Sequence, residues 1–213
     1  HKMQRRTILA HRANYGGKRQ SGISYIVMHY TANDGDCDEA NGRYFQQVLD
    51  PVASAHYFVD DDSITRSVPD EFVAYHCGAQ AYRHPSCRNS NSIGVELCDS
   101  RRDGQVMATE RTLENAAELV HWLCRQYDVP YSHILRHYDV TGKLCPAYWI
   151  GNDGLERLRK RGEEVGCRKH GYECQRNWRA CWQAIESTCW KRQHLARKTR
   201  RSHGYTSWRE CRR

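Results

Sequence analysis

The sequence predicts a mixed α/β fold, a central β-sheet flanked by helices. Three observations lead there. Runs rich in β-branched and aromatic residues recur through the first hundred positions. A strongly amphipathic helical stretch follows them. The two kinds of segment mix without a strict strand–helix–strand beat. The run Tyr25-Ile26-Val27-Met28-His29-Tyr30 reads as a largely buried strand. Residues 39–49 follow as a helix, with Ala40, Tyr44, Phe45 and Val48 on one face. Residues 55–59 are a second strand, the acidic run Asp60-Asp61-Asp62-Ser63 a solvated turn, and 64–68 a third strand. Residues 92–98 form a fourth. The clearest helix is 112–127, where Leu113, Ala116, Ala117, Val120, Leu123, Cys124 and Tyr127 make one apolar stripe. Thr112 is the expected N-cap, Glu114 suits the positive end of the helix dipole, and Pro130 marks a stop. A short strand at 134–135 feeds a loop from His137, and 155–165 is the last helix.

The 213 residues divide unevenly. Residues 1–19 read as an N-terminal extension, 20–165 as the chemistry-bearing domain and 166–213 as an irregular basic tail. About 150 residues suffice to bury a core. The tail holds 13 of the 33 Lys and Arg and 3 of the 25 Asp and Glu, a net of +10, which leaves the rest at −2. The basic character therefore belongs to the tail rather than to the chemistry. Four of the six tryptophans lie there too, and Cys167, Cys174, Cys181 and Cys189 are spaced like a loose helical stripe. This composition builds no core. It suits a wall-binding tail, a helical appendage or the product of a shifted reading frame.

No stretch of 18 apolar residues exists, so no membrane span is expected. The first residues contain only the short run Ile8-Leu9-Ala10, too little for a secretory leader, so synthesis in the cytoplasm is expected. Without a leader, the eleven cysteines are read as buried small hydrophobes or idle thiols and not as a disulfide framework. Cys145 is the exception.

Residues 136–146, Arg-His-Tyr-Asp-Val-Thr-Gly-Lys-Leu-Cys-Pro, place His137 and Cys145 eight residues apart in a loop containing glycine. Imidazole and thiolate are good zinc ligands, and a catalytic zinc site takes three protein ligands plus water. His29, near the end of the first strand of the domain, is the candidate third ligand. Neither an HExxH helix nor a CxxC pair is present, so the familiar local zinc motifs are absent. Taken singly, a strand histidine or a cysteine before proline more often simply packs.

The combination is more specific. His29-Tyr30-Thr31, the segment from Ser54 to Val59, the segment from Asn91 to Glu96, and the His137, Lys143, Cys145 loop occur in this order. Together, over roughly residues 20–160, they resemble the type-2 N-acetylmuramoyl-L-alanine amidases, which include phage endolysins and are similar to peptidoglycan-recognition proteins. The resemblance implies an amidase-2 fold and one Zn²⁺ per chain, held by His29, His137 and Cys145. It implies Glu96 as the acid/base, Lys143 as a catalytic lysine, and hydrolysis of the bond between N-acetylmuramic acid and L-alanine at the bacterial cell wall. Other relatives place a tyrosine on a strand where this chain has Ala55. His56 and Tyr57 are the candidates to stand behind the ligands and orient them. A peptidoglycan-binding module without catalysis is the alternative. For the tail, arginine and tryptophan suit nucleic acid, but an anionic wall polymer is an equally good electrostatic partner and is the one expected.

Overall fold

The computed structural model describes residues 3–49, 52–102 and 104–168. In chain order its elements are β1 (Gln4–Thr7), β2 (Tyr15–Lys18), β3 (Tyr25–Asp34), α1 (Asp38–Gln47), β4 (Tyr57–Val59), β5 (Ser63–Arg66), β6 (Phe72–Ala74), β7 (Ser92–Arg102), β8 (Gln105–Met107), α2 (Glu110–Tyr127), β9 (Ile134–Arg136), α3 (His137–Thr141) and α4 (Gly154–Arg168). The sheet runs β1-β5-β4-β7-β3-β9. Only β4 and β5 pair antiparallel along this path, as a hairpin; the other neighbours are parallel. β8 folds back along the far end of β7, and β2 with β6 makes a separate two-stranded ribbon.

Side chains alternate across a strand, and the residues sort accordingly. Ile26, Met28, Tyr57, Val59, Ile93, Val95 and Leu97 point to one face, where they pack against Ala116, Leu119, Val120 and Leu123 of α2 and Leu158 of α4. Tyr25 and Val27 point the other way, into a smaller cluster with Cys77, Cys87, Leu135 and Val140. Each fully buried leucine under α2 contributes about 1.5–3 kcal/mol of transfer free energy. His29 and Glu96 lie two residues on from Val27 and Gly94, on this second face.

The helix α2 starts earlier than its apolar stripe suggests. Thr109, not Thr112, is the cap: its Oγ1 accepts from the Thr112 N–H at 3.0 Å, and Glu110 occupies the first turn. Thr112 Oγ1 instead donates to Asp61 at 2.8 Å, and the Asn115 amide donates to the carbonyls of Asp60 and Asp61. The hairpin turn therefore anchors the start of the helix. Asp60 Oδ1 accepts from the N–H groups of Asp62 and Ser63, which makes the acidic run the turn that was expected. In α1 the expected apolar face is only partly used. Asp38 and Gly42 are buried while Tyr44 is exposed, because the helix lies so close to β5 that a Cβ on Gly42 would meet Thr65 at 2.7 Å.

Residues 1–19, read from sequence as an extension, contribute to the sheet. β1 forms its outer edge beside β5, and Arg19 donates to the carbonyls of Asp70 and Ser92 at 2.6 and 2.7 Å. Cys37, Cys77, Cys87, Cys98, Cys124 and Cys145 are free thiols. Among the described residues no helix is long and apolar enough to cross a membrane. The expected tail, 166–213, lies outside the described residues but for its first three positions, which end α4.

Candidate metal centre

His29 sits in β3, the strand flanked by β7 and β9. Its register partner on β7 is Glu96. Paired residues on neighbouring strands project to the same face, so imidazole and carboxylate stand side by side. On the opposite flank the chain leaves β9 directly into α3, which begins at His137. Asp139 fixes that start by accepting from the Arg136 N–H at 2.8 Å, while the Arg136 guanidinium bridges Asp139 Oδ1 at 2.6 Å and the Trp149 carbonyl at 2.8 Å. Gly142 ends α3 at φ 88°, a left-handed conformation that glycine adopts without strain. The turn carries the chain back so that the Cys145 carbonyl accepts from the Tyr138 N–H at 3.1 Å. The loop read from sequence is thus a short helix, a glycine turn and a return.

This return brings three buried donors together. One ligand atom from each of His29, His137 and Cys145 lies within 4.8 Å of the others. His29 Nδ1 is 3.8 Å from Cys145 Sγ, and the His29 and His137 rings are 4.7 Å apart at 71°. Nitrogen and sulfur bound to zinc at about 2.0 and 2.3 Å in a tetrahedral shell stand roughly 3.5 Å apart, so the cluster needs only small adjustments. Burial holds His29 well below the usual histidine range and takes His137 to about 4, keeping both imidazoles neutral as ligation requires. His137 Nδ1 is buried with no hydrogen-bond partner among the described residues. Burial pushes the Cys145 thiol up to about 12, so its deprotonation needs a strong local positive charge such as a metal ion. Two neutral nitrogens and one sulfur form a set that fits zinc.

Beside this cluster, Glu96 Oε2 is also buried without a partner among the described residues. Burial raises its carboxyl to about 8, with Lys143 opposing the rise and Asp99 and Asp36 adding to it. Lys143 is exposed on the return from Gly142 to Cys145, and its charge also disfavours protonation of His29 and His137.

The two residues expected to stand behind the ligands do not reach them. Tyr57 is on the α2 face, one residue out of phase with His56 and Phe58, and its hydroxyl donates to Asp70 at 2.7 Å. His56 shares the site face, but its Nδ1 accepts from the Gly94 N–H at 3.0 Å, so Nε2 carries the proton and donates to the Phe72 carbonyl at 3.1 Å. The nearby Arg19 Nη2, at 2.7 Å, then faces a donor and cannot hydrogen-bond to it. A side chain that does touch one of the three donors is His76, whose Nδ1 is 3.0 Å from His29 Nε2. Its trace in the sequence is Gly94: a Cβ there would lie 2.6 Å from the His76 ring, and a glycine inside a strand often marks such a close approach.

A protein-family profile described as N-acetylmuramoyl-L-alanine amidase matches residues 18–148. This chain belongs to the N-acetylmuramoyl-L-alanine amidase family. It is 36% identical over 159 residues to the N-acetylmuramoyl-L-alanine amidase CwlL of Bacillus licheniformis, covering 70% of this chain and 43% of that protein. It is 39% identical over 162 residues to a probable N-acetylmuramoyl-L-alanine amidase of the same organism, covering 72% and 45%. The chain thus spans less than half the length of these two relatives. Among solved structures, the catalytic domain of PlyG matches with a TM-score of 0.62 at 26% identity, covering 76% of this chain and 94% of that one. A mutant endolysin from Bacillus subtilis matches with a TM-score of 0.62 at 23% identity, covering 75% and 99%, and shares the fold. The α/β architecture of this chain is that of the amidase family's endolysin structures.

Proposed function

We propose that this chain hydrolyses the amide bond between N-acetylmuramic acid and L-alanine in bacterial peptidoglycan, with one zinc ion held by His29, His137 and Cys145. The observation that carries the reading is the convergence of those three buried donors beside a carboxyl group, Glu96, raised to about 8. Zinc bound there supplies a Lewis acid and brings the pKa of water towards about 7. Glu96 takes a proton at its free Oε2 from the attacking water as the new C–O bond forms. It returns that proton to the alanine nitrogen as the C–N bond breaks, so acid and product amine leave with atoms balanced. The Lys143 ammonium faces the negative charge that develops on the carbonyl oxygen, a kind of contribution worth about 3–4 kcal/mol. A module that only binds peptidoglycan needs neither a full donor set nor a free buried carboxylate.

The substrate places the reaction at the cell wall, and residues 166–213, with their net charge of +10, are assigned to an anionic wall polymer. Mass spectrometry of purified peptidoglycan after digestion, with and without a zinc chelator, tests the reading. Stem peptides with a free L-alanine amine are expected, and chelation should abolish them. Glycan or cross-bridge fragments, or the same products from metal-stripped protein, would overturn it.

A further inference from the structure

We propose that His76 is a positioning residue. It ends a proton-ordered chain, rooted in the backbone, that fixes the tautomer of His29 and aims its Nδ1 at the metal. The inference rests on the zinc reading above. Four groups line up: His29 Nε2 lies 3.0 Å from His76 Nδ1, His76 Nε2 lies 3.0 Å from Ser92 Oγ, and Ser92 Oγ lies 2.7 Å from the Arg88 carbonyl oxygen. His29, His76 and Ser92 are all buried, so water does not stand in for a missing partner.

The far end sets the direction. A carbonyl oxygen can only accept, and the 2.7 Å contact takes the single hydroxyl hydrogen of Ser92. Ser92 Oγ must then accept from His76, which places the His76 ring proton on Nε2 and leaves a lone pair on Nδ1. That lone pair accepts from His29 Nε2–H. A His29 ring protonated at Nε2 presents its lone pair at Nδ1, the nitrogen that faces Cys145 Sγ. The opposite order would put a proton on the ligating nitrogen.

The His76 ring is itself held in place. It lies over Gly94, where a Cβ would be 2.6 Å from it. Its backbone N–H and that of Cys77 both donate to Asn89 Oδ1, at 3.2 and 2.8 Å. The rings of His56 and His29 pack edge-on against it at 5.8 and 5.1 Å. A partner so fixed orients the ligand ring and strengthens its donor nitrogen, and loss of such a partner typically weakens metal binding tenfold to a hundredfold.

The test is zinc affinity, measured by competition with a chromophoric chelator, together with the His29 tautomer read from long-range ¹H–¹⁵N spectra. His76→Leu should weaken zinc binding tenfold to a hundredfold. His76→Asn, whose Oδ1 takes the place of Nδ1 and can accept from His29 Nε2–H, should recover most of that, and Ser92→Ala should fall between. In the unsubstituted zinc-loaded protein His29 should be protonated at Nε2, an observation that needs no variant to fold. Ligation through Nε2, unchanged affinity in His76→Leu, or equal losses in the Leu and Asn variants would overturn the role of His76. A failure of the unsubstituted protein to take up zinc would overturn the zinc reading itself, and this inference with it.

Discussion

The two faces of the sheet are made by the same strands and differ at every second residue. On the α2 side, Ile26, Met28, Val95, Leu97 and Tyr57 meet a helix in an apolar layer, and the one buried carboxyl group that Tyr57 reaches, Asp70, is held by the hydroxyls of Tyr57 and Tyr127. On the other side, His29, His56, Gly94 and Glu96 hold imidazoles, a carboxylate and a gap where a Cβ would not fit. One face stabilises, and the other carries polar groups at a cost that its partner must offset. The difference teaches that fold and chemistry are separable here by strand phase.

Substitutions on each face should separate them. The largest expected effect is on the polar face: Glu96→Gln should lower the rate of amide hydrolysis by about 10²–10⁴-fold while one zinc per chain is retained by elemental analysis. A variant with rate near that of the parent would remove Glu96 from the chemistry. On the apolar face, Leu123→Ala should cost about 2–5 kcal/mol in chemical unfolding, since Leu123 is fully buried. Hydrolysis per folded molecule should stay unchanged, and a matching loss of rate would mean that the faces are coupled.

The smallest effect should have the opposite sign. Because the folded Glu96 pKa, about 8, is above its ordinary value of 4.5, the fold favours the protonated carboxyl. That contribution is complete below about pH 4.5 and is lost as pH rises through about 8. Glu96→Gln keeps the neutral form at every pH. In zinc-free protein it should therefore be more stable than the parent by roughly 1–3 kcal/mol at pH 9 and equal to it near pH 4.5, each shifted pKa unit being worth about 1.4 kcal/mol. Thermal melts across that range would show it, and a constant difference would place the carboxyl in water.

The apolar face was the more legible one. The buried runs at β3, β7 and α2 announced themselves through strand and helix periodicity, because packing alone decides those positions. β1 did not: Gln-Arg-Arg-Thr has no apolar alternation, and its place at the sheet edge comes from backbone pairing with β5. The helix start was misplaced by one turn because Thr109 and Thr112 are both competent caps; both hydroxyls reach Asp61, and it is Thr109 that accepts from a backbone N–H of the first turn. On the polar face, His137 and Cys145 stood out as a spaced pair of zinc-type donors and His29 as a candidate third, but only the resemblance joined them, since no local spacing links a strand histidine to a loop more than a hundred residues away. The phase of β4 already excluded Tyr57, one residue out of step with its neighbours on the site side. His76 was hidden, since its contact with His29 spans 47 residues of chain.

That long separation bears on how the molecule is born. His29 and Cys145 stand 116 residues apart. At about 5–20 residues per second, the first donor leaves the ribosome many seconds before the last. Every nascent chain therefore carries the centre of its sheet long before it has a centre for its chemistry. A product cut short before Cys145 encodes every strand of the sheet but lacks one of the three donors of the candidate metal centre.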